Sequence, residues 1–266
     1  RTSVMTGLRP STTGIYSLQP AFRTVPSLKD YISLPKAFAA NGYATSTCGK
    51  MYHKDAGKDE FETVGLPGKV KRNRLKERFV PTKASKLDWG PWPPEDAQQR
   101  DYQTAEWAVD ALTNKPDTDK PFFMAVGFYR PHVPLYASQK WFDLYPEESL
   151  ILPPIRRDDR QDTPRFSWNI HWSLPEPRLK SIEAHGLLKS KVRAYLACVS
   201  FMDAQVGRVL DALEASGQED NTIIVVWSDH GYHLGEKEIT GKNTLWDPST
   251  RVPLIFAGPG IAEGAN

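Results

Sequence analysis

The chain is poor in cysteine, carries little net charge and contains no long apolar run. Two cysteines among 266 residues do not make a disulfide framework, and the apolar surroundings of Cys48 and Cys198 favour buried free thiols over a nucleophile. A formal net charge of +2 is too small for a protein that coats a polyanion, so we expect no nucleic-acid partner. No apolar stretch approaches bilayer-crossing length, so the sequence predicts no membrane span.

Strand patterns alternate with helix patterns, which predicts an α/β domain with a mostly parallel sheet. The predicted helices cover residues 33–41, 101–112 and 189–215, and the predicted strands cover 43–48, 121–127, 222–227 and 252–256. Two long irregular stretches, about 54–100 and 146–188, are rich in proline, tryptophan and charge. Loops of that length in a compact domain are usually functional, so we expect them to face a substrate. A single domain over residues 1–266 is the simplest organisation.

Polar side chains follow three of the predicted strands. Lys50 and His53 come after the first, His132 after the second, and Asp229 and His230 after the third. Ligands of open parallel sheets bind outside the carboxyl ends of the strands, so three segments can deliver these groups to one crevice. A lysine, several histidines and an aspartate suit a doubly charged tetrahedral anion, with the aspartate available for a cation.

Taken singly, each of these residues has an ordinary structural explanation. A lysine after a strand is usually solvated, and His132 between two prolines can simply bond a backbone carbonyl in a rigid turn. Asp229 can lead a turn that closes a strand. His230 and His233, three residues apart and with no further His or Cys nearby, are weak support for zinc. The hypothesis therefore depends on the convergence of the clusters.

Three blocks along the chain follow one known pattern. The segment from Arg1 to Tyr16 has Thr6-Gly7 and Pro10 in a T-G-x-x-P arrangement, 120–134 reads KPFFMAVGFYRPHVP, and 228–236 reads SDHGYHLGE. These blocks resemble the sulfatases of the alkaline-phosphatase-like superfamily, and within them the iduronate-2-sulfatase-like branch. The resemblance implies an α/β alkaline-phosphatase-like sandwich, in which helices flank a mostly parallel central sheet. It also places the cysteine of the C-x-P-S-R signature four residues before Arg1, so we expect a fragment, incomplete at both ends.

The resemblance implies hydrolysis of sulfate esters with two cofactors. One is 3-oxoalanine (formylglycine), made from the upstream cysteine, and the other is Ca²⁺. Arg1 would hold the formylglycine hydrate, and Asp229 and His230 would be metal ligands together with two acidic residues from a strand outside this sequence. Since Ca²⁺ prefers oxygen ligands, the His of this pair is the less usual one. We expect the 266-residue chain alone to be inactive, because the nucleophile would precede Arg1.

The same resemblance gives roles to four further side chains. Lys50 and Lys242 would clamp the sulfate oxygens as negative charge moves onto the leaving oxygen. His132 would donate to the sulfate or protonate the departing alcohol, and His53 would take a proton from the sulfated hydrate, so that the aldehyde is restored. Fixed cations and a proton source are what a sulfate ester requires, because its charge repels nucleophiles and its alkoxide leaves poorly.

The implied substrate is a sulfated, uronate-containing polysaccharide or glycosaminoglycan. In the second irregular stretch, Trp168, Asn169, His171 and Trp172 are the residues we expect to contact sugar, although tryptophans there can equally pack the loop onto the domain. The family resemblance also implies export to the periplasm or the extracellular space. The sequence leaves the oligomeric state open.

Two other functions remain open at this point. A phosphodiesterase or phosphonate hydrolase of the same superfamily shares the layout of the metal site. A non-catalytic module that binds sugar anions would use the same cations without turnover. The residues upstream of Arg1 discriminate the first alternative, since a cysteine there favours sulfate and a bare Thr or Ser favours phosphate.

Overall fold

A computed structural model describes residues 1–53, 58–66, 80, 87–114, 119–172 and 179–264, without the side chains of residues 58 and 169–172. The helices are α1 (Thr2–Thr6), α2 (Pro10–Thr13), α3 (Leu34–Ala40), α4 (Arg100–Thr113), α5 (Gln139–Asp143), α6 (Arg165–Trp172), α7 (Leu179–Ala184), α8 (Leu188–Ala215) and α9 (Asp247–Thr250). The strands are β1 (Ala44–Gly49), β2 (Thr63–Gly65), β3 (Trp89–Pro91), β4 (Phe122–Gly127), β5 (Leu135–Ala137), β6 (Ile224–Trp227), β7 (His233–Leu234), β8 (Thr240–Gly241) and β9 (Leu254–Ala257). Short 3-10 turns lie at Phe22–Thr24, Pro26–Leu28, Lys58–Glu60, Asp96–Gln98, Glu147–Ser149, Glu219–Asn221 and Glu236–Glu238.

The chain divides into two compact units, each made of three segments. The first unit comprises residues 1–71, 97–129 and 205–216, and the second comprises 72–96, 130–204 and 217–266. Because the segments alternate along the chain, each unit is closed by contacts between residues far apart in sequence.

The first unit is built on a parallel sheet with strand order β2-β1-β4. β1 and β4 pair along their whole length, from Ala44 opposite Phe122 to Gly49 opposite Gly127. α4 packs on this sheet through the buried Ala105, which with other small side chains makes an apolar stripe at helical spacing. The parallel pairing and the packed helices confirm the predicted α/β class.

Two glycines end this sheet and fix where the following chain runs. The backbone N–H of Lys50 donates to the carbonyl of Gly127 at 2.7 Å. A Cβ on Gly127 would lie 2.6 Å from the Lys50 backbone, and one on Gly49 would lie 2.1 Å from the Gly127 carbonyl oxygen. Gly49 also has a φ of +83°, which side chains rarely tolerate. Only glycine therefore permits this close approach, which holds Lys50 at the end of the sheet.

The second unit contains three short strand pairs. β3 and β5 are parallel, whereas β6 pairs with β9 and β7 pairs with β8 in antiparallel fashion. The strand predicted at 222–227 is present as β6, but a central position in a sheet, which its apolar run favours, is wrong within the described residues, where β6 pairs only with β9. Pro253 stands just before β9, as expected for a residue that has no N–H to donate.

Both cysteines are buried and unoxidised, as predicted. Cys48 is on β1 and Cys198 is on α8, which covers 28 residues and matches the long predicted helix. Burial raises the pKa of the Cys48 thiol to about 11, since the charged thiolate loses hydration. A thiol with that pKa is a poor nucleophile at neutral pH, which favours the packing role.

The two stretches predicted to be irregular contain short ordered elements in their described parts. β2 and β3 lie in the first stretch, and α6 and α7 lie in the second. Trp89 is buried and its indole N–H donates to Ser190 on α8 at 3.0 Å, so this tryptophan joins its segment to that helix. No helix within the described ranges is long and apolar enough to cross a membrane.

Candidate active site

The turn after β1 carries two of the predicted catalytic residues, Lys50 and His53. The ammonium of Lys50 lies 5.2 Å from the centre of the Tyr129 ring, close enough for a cation–π contact. Between the two residues, Tyr52 is buried and stacks on Phe22 with ring centres 5.5 Å apart. The turn is therefore anchored at its middle, while Lys50 and His53 remain half-buried on either side.

An ion pair to the buried Glu60 fixes the segment that supports this turn. Arg23 donates from Nε and Nη2 to the two oxygens of Glu60, both at 2.7 Å, and Ser33 donates its hydroxyl to the same carboxylate. Burial alone would raise the pKa of Glu60, but the hydrogen bonds from Arg23 and Ser33 lower it below the ordinary value. The guanidinium lies over the Phe22 ring at 4.5 Å, so the pair and the Phe22–Tyr52 stack form one packed cluster.

Arg1 lies at the N-cap position of α1 in the same unit and is half-buried. α1 ends at Gly7 in a left-handed conformation, and the Tyr31 hydroxyl donates to the Thr6 carbonyl at 2.9 Å. The short helix that begins after Arg1 is thus tied to the segment leading into α3.

In the second unit, the loop after Tyr129 presents His132 at the surface. Arg130 donates from Nη1 to the carbonyls of His132 and Pro134, at 3.1 and 2.6 Å. His132 Nδ1 lies 2.7 Å from the Val133 carbonyl, which can only accept, so Nδ1 carries a proton. Nε2 is then the nitrogen that can gain or lose a proton, as an acid–base catalyst requires.

Asp229 and His230 form a pair of possible metal ligands directly after β6. Oδ1 of Asp229 lies 3.7 Å from Nε2 of His230. Nδ1 of His230 is 2.8 Å from the Gly231 carbonyl, so in the neutral ring Nε2 holds the lone pair that a metal needs. The two donor atoms fit one divalent cation, although no group of three or more His, Cys, Asp or Glu side chains suitable for a metal occurs in the described part of the chain.

Lys242 follows the β7–β8 hairpin, in which His233 pairs with Gly241. His233 is fully buried: its Nδ1 lies 3.0 Å from the Glu236 carbonyl and its Nε2 lies 2.8 Å from the Thr244 hydroxyl. Burial lowers the pKa of this ring, so it is neutral near pH 7. Since both ring nitrogens are hydrogen-bonded inside the protein, His233 holds the hairpin in place.

The same hydrogen-bond network reaches back to the turn of Asp229 and His230. The Thr244 hydroxyl is 2.9 Å from that of Ser249, whose carbonyl accepts the Gly231 N–H at 2.8 Å. A Cβ on Gly231 would lie 2.1 Å from the Pro248 carbonyl oxygen, so the two segments touch through their backbones. The turn of Asp229 and His230 and the segment that follows Lys242 are thereby joined by hydrogen bonds and backbone contact.

Within the first unit, the structure places Lys50 and His53 on one turn. Within the second, it joins Asp229, His230 and the Lys242 hairpin. The gathering of all the predicted site residues in one place stays a prediction.

Among the predicted sugar contacts, only the Trp168 side chain is described. Its indole N–H donates to the Thr163 hydroxyl at 2.9 Å, and the Arg160 guanidinium lies 4.5 Å from its ring. These contacts pack Trp168 within its own unit. The side chains of Asn169, His171 and Trp172 lie outside the described residues.

The protein-family comparison identifies the family of this chain. The family profile described as Sulfatase matches residues 1–265. The chain belongs to the sulfatase family. Sulfatases generally use a formylglycine and a divalent metal. The turn with Lys50 and His53 and the pair Asp229–His230 lie in a chain of this family, and their catalytic and metal-binding roles stay predictions.

Two relatives show how widely the sulfatase similarity extends. A sulfatase of Formosa agariphila is 43% identical over 99% of this chain and 55% of its own length. The iduronate 2-sulfatase of Homo sapiens is 29% identical over 98% of this chain and 50% of its own length. The chain spans about half the length of the curated relatives it matches.

Solved structures agree with the alkaline-phosphatase-like sulfatase fold. A structure described as a 2-O GAG sulfatase has a TM-score of 0.66 at 23% identity, over 98% of this chain and 53% of its own. The phosphonate monoester hydrolase of Agrobacterium radiobacter has a TM-score of 0.72 at 19% identity, over 97% of this chain and 58% of its own. At these identities the likeness concerns the fold alone.

Sequence reasoning missed several residues that shape the two turns. Glu60 and His233 are buried polar residues whose partners lie far along the chain or in another turn, and Tyr129 contacts Lys50 across strands. For Tyr129 a signal existed, because it follows β4 as Lys50 follows the neighbouring β1. Glu60 lies in a charged stretch that gave no such signal.

Proposed function

We propose that the whole protein hydrolyses sulfate esters of sulfated, uronate-containing polysaccharides or glycosaminoglycans. The observation that carries this proposal is the match of the sulfatase family over residues 1–265, in a chain that keeps cationic and acid–base side chains on rigidly held strand-end turns. The sulfated sugar is proposed because relatives of this chain include an iduronate 2-sulfatase and a sulfatase described as ulvan-active.

The residues of this chain have two kinds of role: some stabilise negative charge and others transfer protons. Lys50 and Lys242 bind the sulfate oxygens and balance the charge that builds up as the ester bond breaks. His132, whose Nδ1 proton is held by the Val133 carbonyl, acts as the imidazolium: it gives the proton on Nε2 to the departing alcohol oxygen and is left neutral. His53 accepts a proton during release of sulfate, and Arg1 orients the nucleophile.

The family's cofactors supply the two remaining parts. A formylglycine would supply the nucleophilic hydroxyl, and Ca²⁺ would supply a fixed positive charge. Asp229 and His230 would hold that metal, the first through a carboxylate oxygen and the second through Nε2. We also propose export to the periplasm or the extracellular space, which fractionation with detection in the culture medium would test.

The test measures sulfate release by the whole protein. Substrates are 4-nitrophenyl sulfate and a 2-O-sulfated uronate disaccharide, with 4-nitrophenyl phosphate and a phenyl phosphonate monoester as comparison. We expect sulfate esters to be turned over faster than the phosphorus substrates. Phosphonate hydrolysis in excess of sulfate hydrolysis would instead support the function of the phosphonate monoester hydrolases, and tight sugar binding without turnover would support a binding module.

Variants connect that activity to the described residues. Lys50→Ala and Lys242→Ala should each lower kcat by about 10²–10³-fold, the range seen when one charge-stabilising donor is removed. The control is Lys180→Ala, which removes an exposed lysine on α7 and should change kcat less than about twofold. Wild-type rates in both site variants would remove these lysines from the mechanism.

A further inference from the structure

We propose that Arg100, held on the Tyr129 ring beside Lys50, recognises a second anionic group of the substrate next to the scissile sulfate. This inference rests on the proposed sulfatase function and assigns a specificity residue to it. Arg100 is the first residue of α4 and is exposed. Its guanidinium carbon lies 4.6 Å from the centre of the Tyr129 ring, the same ring that Lys50 approaches at 5.2 Å.

The two cations are held at a limited separation by that shared ring. Since each lies within about 5 Å of one centre, the Lys50 ammonium and the Arg100 guanidinium are no more than about 10 Å apart, the sum of the two distances. One sugar ring with a sulfate on one carbon and a carboxylate or second sulfate on another can bridge such a pair. A monoanionic ester can occupy only the Lys50 end.

The position of Arg100 is fixed by its neighbour in the helix. Asp101 is 2% exposed, and its carboxylate accepts the backbone N–H of Tyr129 at 2.9 Å. This bond ties the first turn of α4 to the chain just after β4. Arg100 is therefore carried by a rigid helix start beside the sheet end that holds Lys50, as pre-organised recognition requires.

The surroundings of Arg100 suit a ligand better than an internal ion pair. Within the described part of the chain, no carboxylate forms a salt bridge with Arg100, and its guanidinium contacts the Tyr129 ring. Arg208 offers a contrast in the same unit: it lies 4.0 Å from the Tyr102 ring but is also paired with Glu106. The planar guanidinium of Arg100 keeps its fork of donors for the two oxygens of a carboxylate or sulfate.

The experiment compares matched substrates that differ by one charge, using the whole protein. The first pair is a 2-O-sulfated hexuronate glycoside and its carboxyl methyl ester. The second pair is a disulfated and a monosulfated hexosamine. The measured quantity is the ratio of kcat/KM for the dianionic substrate to that for its monoanionic partner.

In the wild type this ratio should exceed about 10, and Arg100→Ala should lower it by about 10- to 100-fold, the loss of one charge-assisted contact. Arg100→Lys, which keeps the charge and loses the fork, should give an intermediate ratio. Arg208→Ala, which removes an arginine stacked on a tyrosine elsewhere in the unit, should leave the ratio unchanged. A fall confined to the hexuronate pair identifies a carboxylate site, and a fall in both pairs identifies a general anion site.

A ratio that stays within about threefold of wild type in Arg100→Ala, or a wild type that does not prefer either dianionic substrate, overturns the inference. Both results leave the sulfatase function standing, because the monoanionic esters are still turned over. Absence of turnover on every sulfate ester would refute the proposed function itself, and this inference with it.

Discussion

Replacing Glu60 by glutamine should destabilise the protein far more than the same change at an exposed arginine–glutamate pair. Glu60 has a side-chain exposure of 3% and receives two bonds of 2.7 Å from Arg23. Glutamine keeps the size of the side chain but removes its charge and turns one acceptor into an NH₂ group that faces a guanidinium donor. One charge-assisted bond is lost, and Arg23 keeps a charge without its counter-charge.

The magnitude follows from the burial of the two partners. Breaking a fully buried ion pair on one side costs about 3–5 kcal/mol. Arg23 is 29% exposed and also donates to the carbonyls of Leu28, Lys29 and Tyr31, so water and backbone compensate part of that loss. We therefore expect a loss of about 2–3 kcal/mol in the free energy of unfolding, or a fall in Tm of about 5–10 °C.

The control is Glu106→Gln, which removes the partner of Arg208 at a glutamate with a side-chain exposure of 56%. Exposed pairs contribute about 0–1 kcal/mol, so its Tm should fall by no more than about 3 °C. Thermal unfolding followed by intrinsic fluorescence gives both values under identical conditions. Equal Tm values for Glu60→Gln and Glu106→Gln would refute the reasoning.

The pH dependence provides a second check on the same pair. Because the pKa of Glu60 is lowered in the folded protein, its contribution is complete above the unfolded value of about 4.3 and is lost as the pH falls through the folded value. The difference in Tm between wild type and Glu60→Gln should thus be constant from pH 7 to about pH 5 and should shrink at lower pH. A difference that grows on acidification would contradict this sign.

Two further changes test the framework of the strand-end turns. Gly127→Ala, whose Cβ would lie 2.6 Å from the Lys50 backbone, should lower both Tm and kcat. Gly207→Ala on α8, whose Cβ would meet nothing within 4 Å, should instead stabilise the protein by up to about 1 kcal/mol and raise Tm slightly. Equal effects of the two changes would contradict the role of the close approach. His233→Leu should cost about 2–4 kcal/mol and lower kcat because two buried hydrogen bonds are lost, while His185→Leu at an exposed position should do neither. Tm and the rate of sulfate release are measured for all four variants.

Most elements of the first unit could be predicted because their signals are local. The apolar spacing of α4 and the apolar run of β4 are complete within about a dozen residues. Their observed bounds differ from the predicted ones by at most one residue at either end. Ser33 shows the limit of such reasoning. The predicted helix 33–41 begins at this residue, which does lie at the N-cap of α3, but its hydroxyl donates to Glu60, which is 27 residues away.

The direction of β6 could not be read from its sequence. An apolar run of Ile and Val fits a strand with parallel or antiparallel neighbours, and the choice depends on where the following chain returns. Here the segment between β6 and β9 folds back through the β7–β8 hairpin and α9, so that Trp227 meets Leu254. The same limitation applies to the site: Asp229 and His230 were predicted from one motif, whereas the His233 network that fixes their turn depends on residues up to Ser249.

Each proposed catalytic turn is held by a buried polar group that takes no part in the chemistry. Glu60 supports the turn of Lys50 and His53, Asp101 fixes the chain after β4, and His233 fixes the hairpin before Lys242. Sulfate transfer depends on charges that are in place before the bond breaks, because reorganising them during the reaction would cost part of the stabilisation they give. Lysines and histidines on surface turns are mobile unless the turn itself is held, and here buried hydrogen bonds hold it. A substitution at such a support should therefore lower kcat even where every catalytic side chain is intact.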